Sequence, residues 1–385
     1  MKTTYETIIK LLRSEVCGDS HISFKPLSDK ELAEIYSAAM LHNIVHIVGS
    51  ALLNNGLLKD RIQQNAYCEQ LYSAIYRFES LCNVLNKVGA VFDESKISYI
   101  PLKGAVIKEL YPQHWFRIGC DVDILVQEKS LNDALKSITD IEGYRKAFGS
   151  KHDVSVLSAE NIYVELHFTL SEDGILPLAT NVLKKVWDHA KPVLNSNYQY
   201  ELDDAMFYFY HIAHMAKHFA TGGCGIRPFL DLWLINKSKN YITSDTEKLL
   251  NEGGLSSFEK YARKLSEVWF SDAEHDEITS LMENYIFNGG CFGSKETVML
   301  SKQQNAGGKI RYIFSRMFVP YDELKHYYPI IVKHKALTPI CEIQRLISLL
   351  FGKKRKFRKS YFNSLNGVSA ERINDINFLF ESVGF

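Results

Sequence analysis

The chain has 385 residues, of which 46% are hydrophobic and 23% are charged. These values are ordinary for a folded protein, and they exclude intrinsic disorder and fibrous repeats. Its 45 basic residues balance 45 acidic residues, so no overall charge attracts nucleic acid or an anionic membrane. A site for a polyanion must therefore be local.

The cysteines and the apolar segments indicate where the protein works. Seven cysteines are scattered along the chain without a CxxC pair or zinc-finger spacing, which is typical of reduced thiols and predicts a cytoplasmic protein. The first 16 residues have an amphipathic pattern that includes charges instead of an unbroken apolar stretch, which favours a helix over a secretory signal. The most apolar long window, residues 38–58, is interrupted by histidines and asparagines, so no transmembrane segment is predicted.

The first part of the chain has a helical pattern. Apolar residues recur at spacings of three and four from Tyr5 to about Phe92. Asn55-Gly56 marks the end of the second helix, because both residues tolerate a left-handed turn. This pattern predicts an N-terminal helical layer over residues 1–95.

Residues 96–170 have a different pattern, typical of strands and short helices. Four strands are predicted, the last two forming a hairpin, together with a short helix after Gly104 and another begun by Ser130. The strands cover 97–102, 121–126, 153–157 and 162–168, and the helices cover 105–110 and 131–141. This order predicts an α+β unit around a small mixed sheet.

Helical spacing returns after Glu201 and continues to the C-terminus. Asp203 or Asp204 is the expected N-cap of a helix over AMFYFYHIAHMAKHF, and FLDLWLI predicts a second helix. The predicted fold class is therefore α+β, with a small mixed-sheet core at 96–170 between the N-terminal layer and a C-terminal helical module at 171–385.

Three acidic residues in this core have a spacing that indicates metal chemistry. Side chains at i and i+2 of a strand share a face, so Asp121 and Asp123 point the same way. Two ionised carboxylates are costly to hold together unless a cation neutralises them, and Mg²⁺ prefers carboxylate and phosphate oxygens. Glu165 lies between Val164 and Leu166 in another strand and is a third candidate ligand.

The turn at Lys103-Gly104 is a candidate phosphate site. It lies between a strand and a helix, where a residue without Cβ lets the backbone approach a phosphate and the helix N-terminus offers N–H donors. Lys103 is either a phosphate contact or a lysine that extends to solvent. Arg117 is either a surface residue or a phosphate clamp, and we favour the clamp.

Together these segments resemble a known superfamily. The order of LKG at 102–104, Tyr111-Pro112, Arg117, DVDILV at 121–126 and VELH at 164–167 is similar to the DNA polymerase β-like nucleotidyltransferases. More narrowly, it resembles a poorly characterised bacterial nucleotidyltransferase family within that superfamily. The superfamily turn is usually Gly-Gly or Gly-Ser, whereas this chain has Gly104-Ala105.

The resemblance implies a reaction and roles for the residues. Asp121 and Asp123 would hold two Mg²⁺ ions, with Mn²⁺ as the alternative, and Glu165 would bind the second ion and help to deprotonate the acceptor. The implied reaction moves a nucleoside monophosphate from an NTP to an acceptor and releases pyrophosphate. A non-catalytic nucleotide-binding regulator, including a toxin or antitoxin type, is the main alternative; an RNA-modifying transferase is disfavoured by the neutral charge.

Several histidines have two interpretations. By the period of two, His167 shares the face of Glu165, where it orients a carboxylate or is simply a satisfied sheet residue. His211, His214 and His218 form a helical stripe beside Lys217, but they lack the HExxH spacing of a zinc site. A polar helix face is the simpler interpretation. In the functional one, His214 and Lys217 help the C-terminal helices to select a small-molecule acceptor.

Two charged features complete the sequence predictions. Arg227 and Asp231, one helical turn apart, are predicted to form an intrahelical pair. Lys353 to Lys359 holds six basic residues in seven and is either a solvated helix end or a contact for a polyanion.

Overall fold

A computed structural model gives the architecture. The structure describes residues 2–150, 152–170, 175–194, 196–294, 297–298, 321, 324–325, 328–351 and 370–385. The basic run Lys353 to Lys359 lies outside the described residues. The fold is a small mixed sheet with many surrounding helices, which confirms the α+β class.

Four helices form the N-terminal part. The second is fixed at its start by a capping box, in which the Ser28 hydroxyl accepts from Glu31 N and the Glu31 carboxylate accepts from Ser28 N. The fourth begins after Asp60, whose carboxylate accepts a hydrogen bond from Gln63 N at 2.7 Å. The helices are α1 (Lys2–Val16), α2 (Asp29–Leu41), α3 (Val45–Asn54) and α4 (Arg61–Glu94).

The central sheet has five strands in the order β1-β2-β5-β4-β3. β2 runs parallel to β5, and the other neighbouring pairs are antiparallel. The strands are β1 (Tyr99–Pro101), β2 (Asp121–Val126), β3 (Arg145–Gly149), β4 (Asp153–Leu157) and β5 (Tyr163–His167). The helical turn α5 (Gly104–Ile107) follows β1, and α6 (Leu131–Thr139) follows β2.

The two faces of β2 and β5 have different surroundings. Val122, Ile124 and Val126 pack with Val164 and Leu166 in a core that includes the apolar residues of α4 and α6. Because side chains alternate across a strand, the residues between them project to the opposite face. That face carries Asp121, Asp123, Glu165 and His167 and is directed away from this core.

C-terminal helices lie beyond that polar face. Their apolar residues share one large core with α1, α2 and α3. A two-stranded sheet, β6 (Ala190–Pro192) and β7 (Tyr200–Leu202), lies between the first two of these helices in the chain. The helices are α7 (Pro177–Leu183), α8 (Asp204–Ala220), α9 (Arg227–Ser238), α10 (Ser244–Glu252), α11 (Ser256–Phe270), α12 (Glu277–Gly289), α13 (Ile330–Lys333), α14 (Thr338–Phe351) and α15 (Ala370–Val383).

The structure corrects the predicted elements in detail. The strand predicted at 97–102 is only Tyr99–Pro101, and the helix predicted at 105–110 is the turn Gly104–Ile107 followed by a 3₁₀ turn, Lys108–Leu110. β3, β6 and β7 were not predicted. Asp203 is the N-cap of α8, since its carboxylate accepts from Met206 N at 2.9 Å. The division at residues 95 and 170 stays a prediction.

Candidate functional site

The parallel pairing of β2 with β5 brings the acidic residues together. Asp123 lies opposite Glu165, and Asp121 lies opposite Tyr163. His167 Nε2 is 2.7 Å from Asp123 Oδ1 and 3.7 Å from Glu165 Oε2. Ligand atoms of Asp123, Glu165 and His167 all lie within 4.8 Å of one another, so these three residues have the spacing of a metal site.

Asp121 lies two residues before Asp123 on the same face and lines the same cavity. It is not part of the compact group formed by Asp123, Glu165 and His167. The structure therefore brings together all three carboxylates predicted from the sequence, with Asp121 at the edge of the group. It adds His167, for which the sequence left two interpretations open, as a direct contact of Asp123.

Lys103 is positioned by the pairing of β1 with β2. Pro101 lies opposite Ile124, and Leu102 N donates to Asp123 O at 3.0 Å, so the chain leaves β1 beside Asp123. Lys103 has φ +50°, and its Nζ is 2.8 Å from Asp123 Oδ1. The neighbouring Gly104 begins α5, where an added Cβ would lie 3.4 Å from Arg117 Nη1.

The three carboxyl groups differ in their protonation. Burial opposes ionisation of Asp123, but the Lys103 ammonium and the His167 contact outweigh this effect and lower its pKa well below the usual range. Burial raises the pKa of Asp121, and the charge of Asp123 raises it further. Burial and the charges of Asp121 and Asp123 likewise raise the pKa of Glu165. Asp121 and Glu165 thus lack enough nearby positive charge to offset their burial and the repulsion from neighbouring carboxylates.

This donor set fits a divalent cation. Carboxylate oxygens are the ligands that Mg²⁺ and Mn²⁺ prefer, and a cation would relieve the repulsion that raises the pKa values of Asp121 and Glu165. An imidazole nitrogen is a less usual ligand for Mg²⁺ than for transition metals, so His167 is better suited to orienting Asp123.

A cavity of about 430 Å³ opens over this face of the sheet. One part of its wall is acidic, and another carries cationic side chains from the residues on either side of α5, the loop before β2, α8 and α9. Such a division suits a metal-bound triphosphate, because the acidic part would bind the metal ion and the cationic part would contact the phosphates. The residues lining it include Lys103, Gly104, Lys108, Arg117, Asp121, Asp123, Asp153, Glu165, His167, His214, Lys217, His218 and Arg227.

Arg117 is held in a buried network. Its Nε lies 2.8 and 2.9 Å from the two carboxylate oxygens of Asp231. The Tyr111 hydroxyl donates to Asp231 Oδ1 at 2.7 Å, and the Asp231 side chain is only 1% exposed. The network joins Tyr111 and Arg117 to α9, so Arg117 combines a structural ion pair with a position on the cavity wall.

The predicted ion pair between Arg227 and Asp231 is wrong. Asp231 is turned towards Arg117 and Tyr111, and Arg227 Nη1 donates to Ile118 O at 2.8 Å. A buried carboxylate gains more from three short hydrogen bonds than from a neighbour one helical turn away. No local pattern in the sequence indicates a pairing between residues 114 positions apart.

The histidine stripe of α8 faces the same region. His214 lines the large cavity with Lys217 and His218, and its Nε2 is 3.2 Å from His218 Nε2. Burial and the nearby Lys103 ammonium lower the pKa of His214 well below its usual range, and burial with the nearby Lys217 lowers the pKa of His218 to about 4. These histidines are therefore neutral at neutral pH.

A second cavity of about 290 Å³ adjoins the first. Lys103, Arg117, His214 and Arg227 line both cavities, which are therefore neighbours across these side chains. His211 lines only the smaller one, together with the turn before α9. Its walls come from α8, α9 and the segments around residues 42 and 291, so it adjoins the C-terminal helices that the sequence predicted to select the acceptor.

Comparison with known proteins identifies the family of this chain. The family model described as "uncharacterised nucleotidyltransferase" matches residues 28–271, more than half of the chain. The chain belongs to this family. The matched region includes every candidate site residue from Lys103 to Asp231. No match was found among curated proteins.

The structure also bears on the membrane prediction. Within the described residues, no helix is both long enough and apolar enough to cross a membrane.

Proposed function

We propose that this nucleotidyltransferase is metal-dependent and transfers a nucleoside monophosphate from an NTP to a small-molecule acceptor, with release of pyrophosphate. The observation that carries the proposal is the single sheet face on which Asp121, Asp123 and Glu165 line a cavity of about 430 Å³. Lys103 and Gly104 lie in the same wall. We also propose that the fold belongs to the DNA polymerase β-like superfamily.

Asp121, Asp123 and Glu165 are the proposed metal ligands, and Lys103, Gly104 and Arg117 are the proposed nucleotide contacts. Two Mg²⁺ ions, or Mn²⁺ in their place, would activate the attacking oxygen and stabilise the triphosphate charge. Lys103 now pairs with Asp123 at 2.8 Å and lies where its ammonium can contact a phosphate. His167 holds Asp123 Oδ1 and so orients this carboxylate.

The proposed step balances as follows. The acceptor hydroxyl oxygen forms a bond to the α-phosphorus, and the bond from that phosphorus to the bridging oxygen of the β-phosphate breaks. Pyrophosphate leaves with that electron pair. Glu165, which lies opposite Asp123 on the neighbouring strand, would receive or relay the hydroxyl proton.

A ligand screen tests nucleotide and metal together. The four NTPs, each with and without Mg²⁺, are added to the full chain, and the midpoint of thermal unfolding is measured. We expect an NTP with Mg²⁺ to raise the midpoint, because a ligand that binds only the folded state stabilises it by mass action. No shift with any NTP would contradict the proposal.

Variants then test the assignment of the carboxylates. Asp121→Asn and Asp123→Asn should each weaken Mg²⁺-dependent nucleotide binding at least about tenfold in calorimetry. Asp133→Asn is the matched control, because Asp133 is exposed on α6. Unchanged affinity in both site variants would refute the metal assignment. Binding without turnover across acceptor candidates would instead support a nucleotide-binding regulator.

A further inference from the structure

The charges around the smaller cavity do not balance. Three cationic side chains line it: Lys103, Arg117 and Arg227. Lys103 pairs with Asp123, and Arg117 pairs with Asp231. Within the described residues, no carboxylate lies at ion-pair distance from Arg227, whose hydrogen bond goes to the carbonyl of Ile118 at 2.8 Å.

Arg227 is partly buried and has charged neighbours of its own sign. Burial and the nearby Arg117 lower the pKa of Arg227 by more than the Asp231 charge raises it, so its charged form is only partly compensated. A backbone carbonyl carries only a partial charge and does not neutralise a guanidinium. An anionic ligand in the cavity would supply the missing charge.

The turn before α9 adds a second feature that favours an anion. Residues 221–226 read TGGCGI, and Gly222 and Gly225 have φ of +106° and +72°. Thr221, Gly223 and Cys224 line the cavity. The first turn of α9, which begins at Arg227, has no side-chain cap, and an uncapped helix N-terminus attracts negative charge.

A buried polar atom faces the same space. His211 lines the smaller cavity, and its Nε2 is buried without a hydrogen-bond partner among the described residues. Buried polar atoms are usually satisfied, so an unsatisfied one indicates a missing partner. Burial lowers the pKa of His211 to about 4, so the ring is neutral and carries one N–H. The ring donates to the carbonyl of Pro228, so Nε2 is left to accept one hydrogen bond from a ligand O–H or N–H.

We propose that the smaller cavity binds a carboxylate or phosphate group of the acceptor, with Arg227 as its counterion and His211 as a further polar contact. This inference rests on the proposed nucleotidyl transfer and names the class of its acceptor, a small acidic molecule. Lys103, Arg117 and Arg227 line both cavities, so an acceptor anchored by its anionic group can extend its hydroxyl towards Asp123 and Glu165.

A nucleobase is the competing occupant of this cavity. A base is neutral, however, and would leave Arg227 without a counterion. The two occupants make different predictions about competition. If the smaller cavity holds the anionic group of the acceptor, an anion binds there together with the NTP. If the nucleobase fills this cavity, or if the anion binds only to the triphosphate contacts, the NTP displaces the anion.

The test uses inorganic phosphate and acetate as probes on the full chain saturated with a non-hydrolysable NTP analogue and Mg²⁺. Calorimetry should show that at least one of the two anions binds, with an affinity unchanged by the analogue. Arg227→Gln should weaken that binding at least about tenfold, since a charge-assisted hydrogen bond is lost. Arg227→Lys should retain part of it, and Lys237→Gln, an exposed charge on the same helix, is the control.

The outcomes separate this inference from the proposed function. Preference for phosphate or for acetate identifies the anionic group. If Asp123→Asn loses analogue binding but still binds the anion, the two sites are independent. Failure of both anions to bind, competition with the analogue, or parental anion affinity in Arg227→Gln would overturn the inference. If Arg227→Gln does not fold, the competition experiment on the parent chain and the Arg227→Lys variant decide.

Discussion

The buried contact between Arg117 and Asp231 leads to a quantitative prediction. Asp231 is 1% exposed, and its carboxylate accepts hydrogen bonds from Tyr111 and Arg117 at 2.7–2.9 Å. Replacing Asp231 with Leu removes the charge and leaves the Arg117 guanidinium buried without a counterion. Replacing Arg117 with Met leaves the carboxylate in the corresponding state.

The expected loss follows from the burial of both partners. Removing one member of a buried ion pair costs about 3–5 kcal/mol, so each single variant should lose roughly this much free energy of unfolding. Removing both charges leaves only the Tyr111 hydroxyl unsatisfied. The double variant should therefore lose less than the sum of the singles, by about 2–3 kcal/mol.

Urea unfolding followed by circular dichroism measures these differences at equilibrium. Lys87→Met is the control, because Lys87 is 45% exposed and its ion pair with Glu160 should contribute less than about 1 kcal/mol. Additive losses in the cycle, or a loss below about 1 kcal/mol in both single variants, would show that Arg117 and Asp231 do not form a coupled pair.

Three further predictions follow from the geometry. Glu165→Gln should bind nucleotide within about threefold of the parent but react at least about a hundredfold more slowly, since it removes the proposed base; an equally large loss of binding in calorimetry would contradict this role. Lys103→Met should weaken NTP binding about tenfold. The free energy of unfolding of Lys103→Gly should exceed that of Lys103→Met by about 1 kcal/mol, because glycine accepts the positive φ. His46 is buried, which lowers its pKa from 6.5 to about 4, so its contribution to stability is complete above pH 6.5 and falls as the pH drops towards 4. His46→Gln keeps a donor for the Phe116 carbonyl but cannot take up a proton. When the pH falls from 7.5 to 5, its free energy of unfolding should therefore decrease by about 2 kcal/mol less than that of the parent, measured by urea unfolding.

The sequence predicted the parts of the site that depend on local periodicity. Alternation along DVDILV assigned Asp121 and Asp123 to one strand face, and β2 has the predicted bounds, Asp121–Val126. VELH placed Glu165 and His167 on one face of β5 for the same reason. Both follow from the period of two, which needs no knowledge of the rest of the fold.

Features that depend on distant contacts were missed. Every residue of β3 is exposed, so Arg145–Gly149 lacks the alternation that identifies a half-buried strand. The ion pair of Arg117 with Asp231 spans 114 positions, and each residue had a plausible local interpretation. His211 also looked like one member of a polar helix face. Its unsatisfied nitrogen can be recognised only in the folded structure, where α8 and the turn before α9 together line the smaller cavity.

The backbone at Lys103 connects the strain in the turn with its proposed chemistry. The sequence predicted a close approach of the backbone to a phosphate at Gly104, and the structure shows that the residue before it, Lys103, has φ +50° and ψ −115°. A side chain in this region costs about 1–3 kcal/mol, which a glycine at the same position would avoid. The lysine holds an ammonium 2.8 Å from Asp123, beside the helical turn that begins at Gly104. Local strain of this size persists where surrounding contacts stabilise it and is concentrated at functional sites, so the conformation of Lys103 supports the proposal that this residue contacts a phosphate.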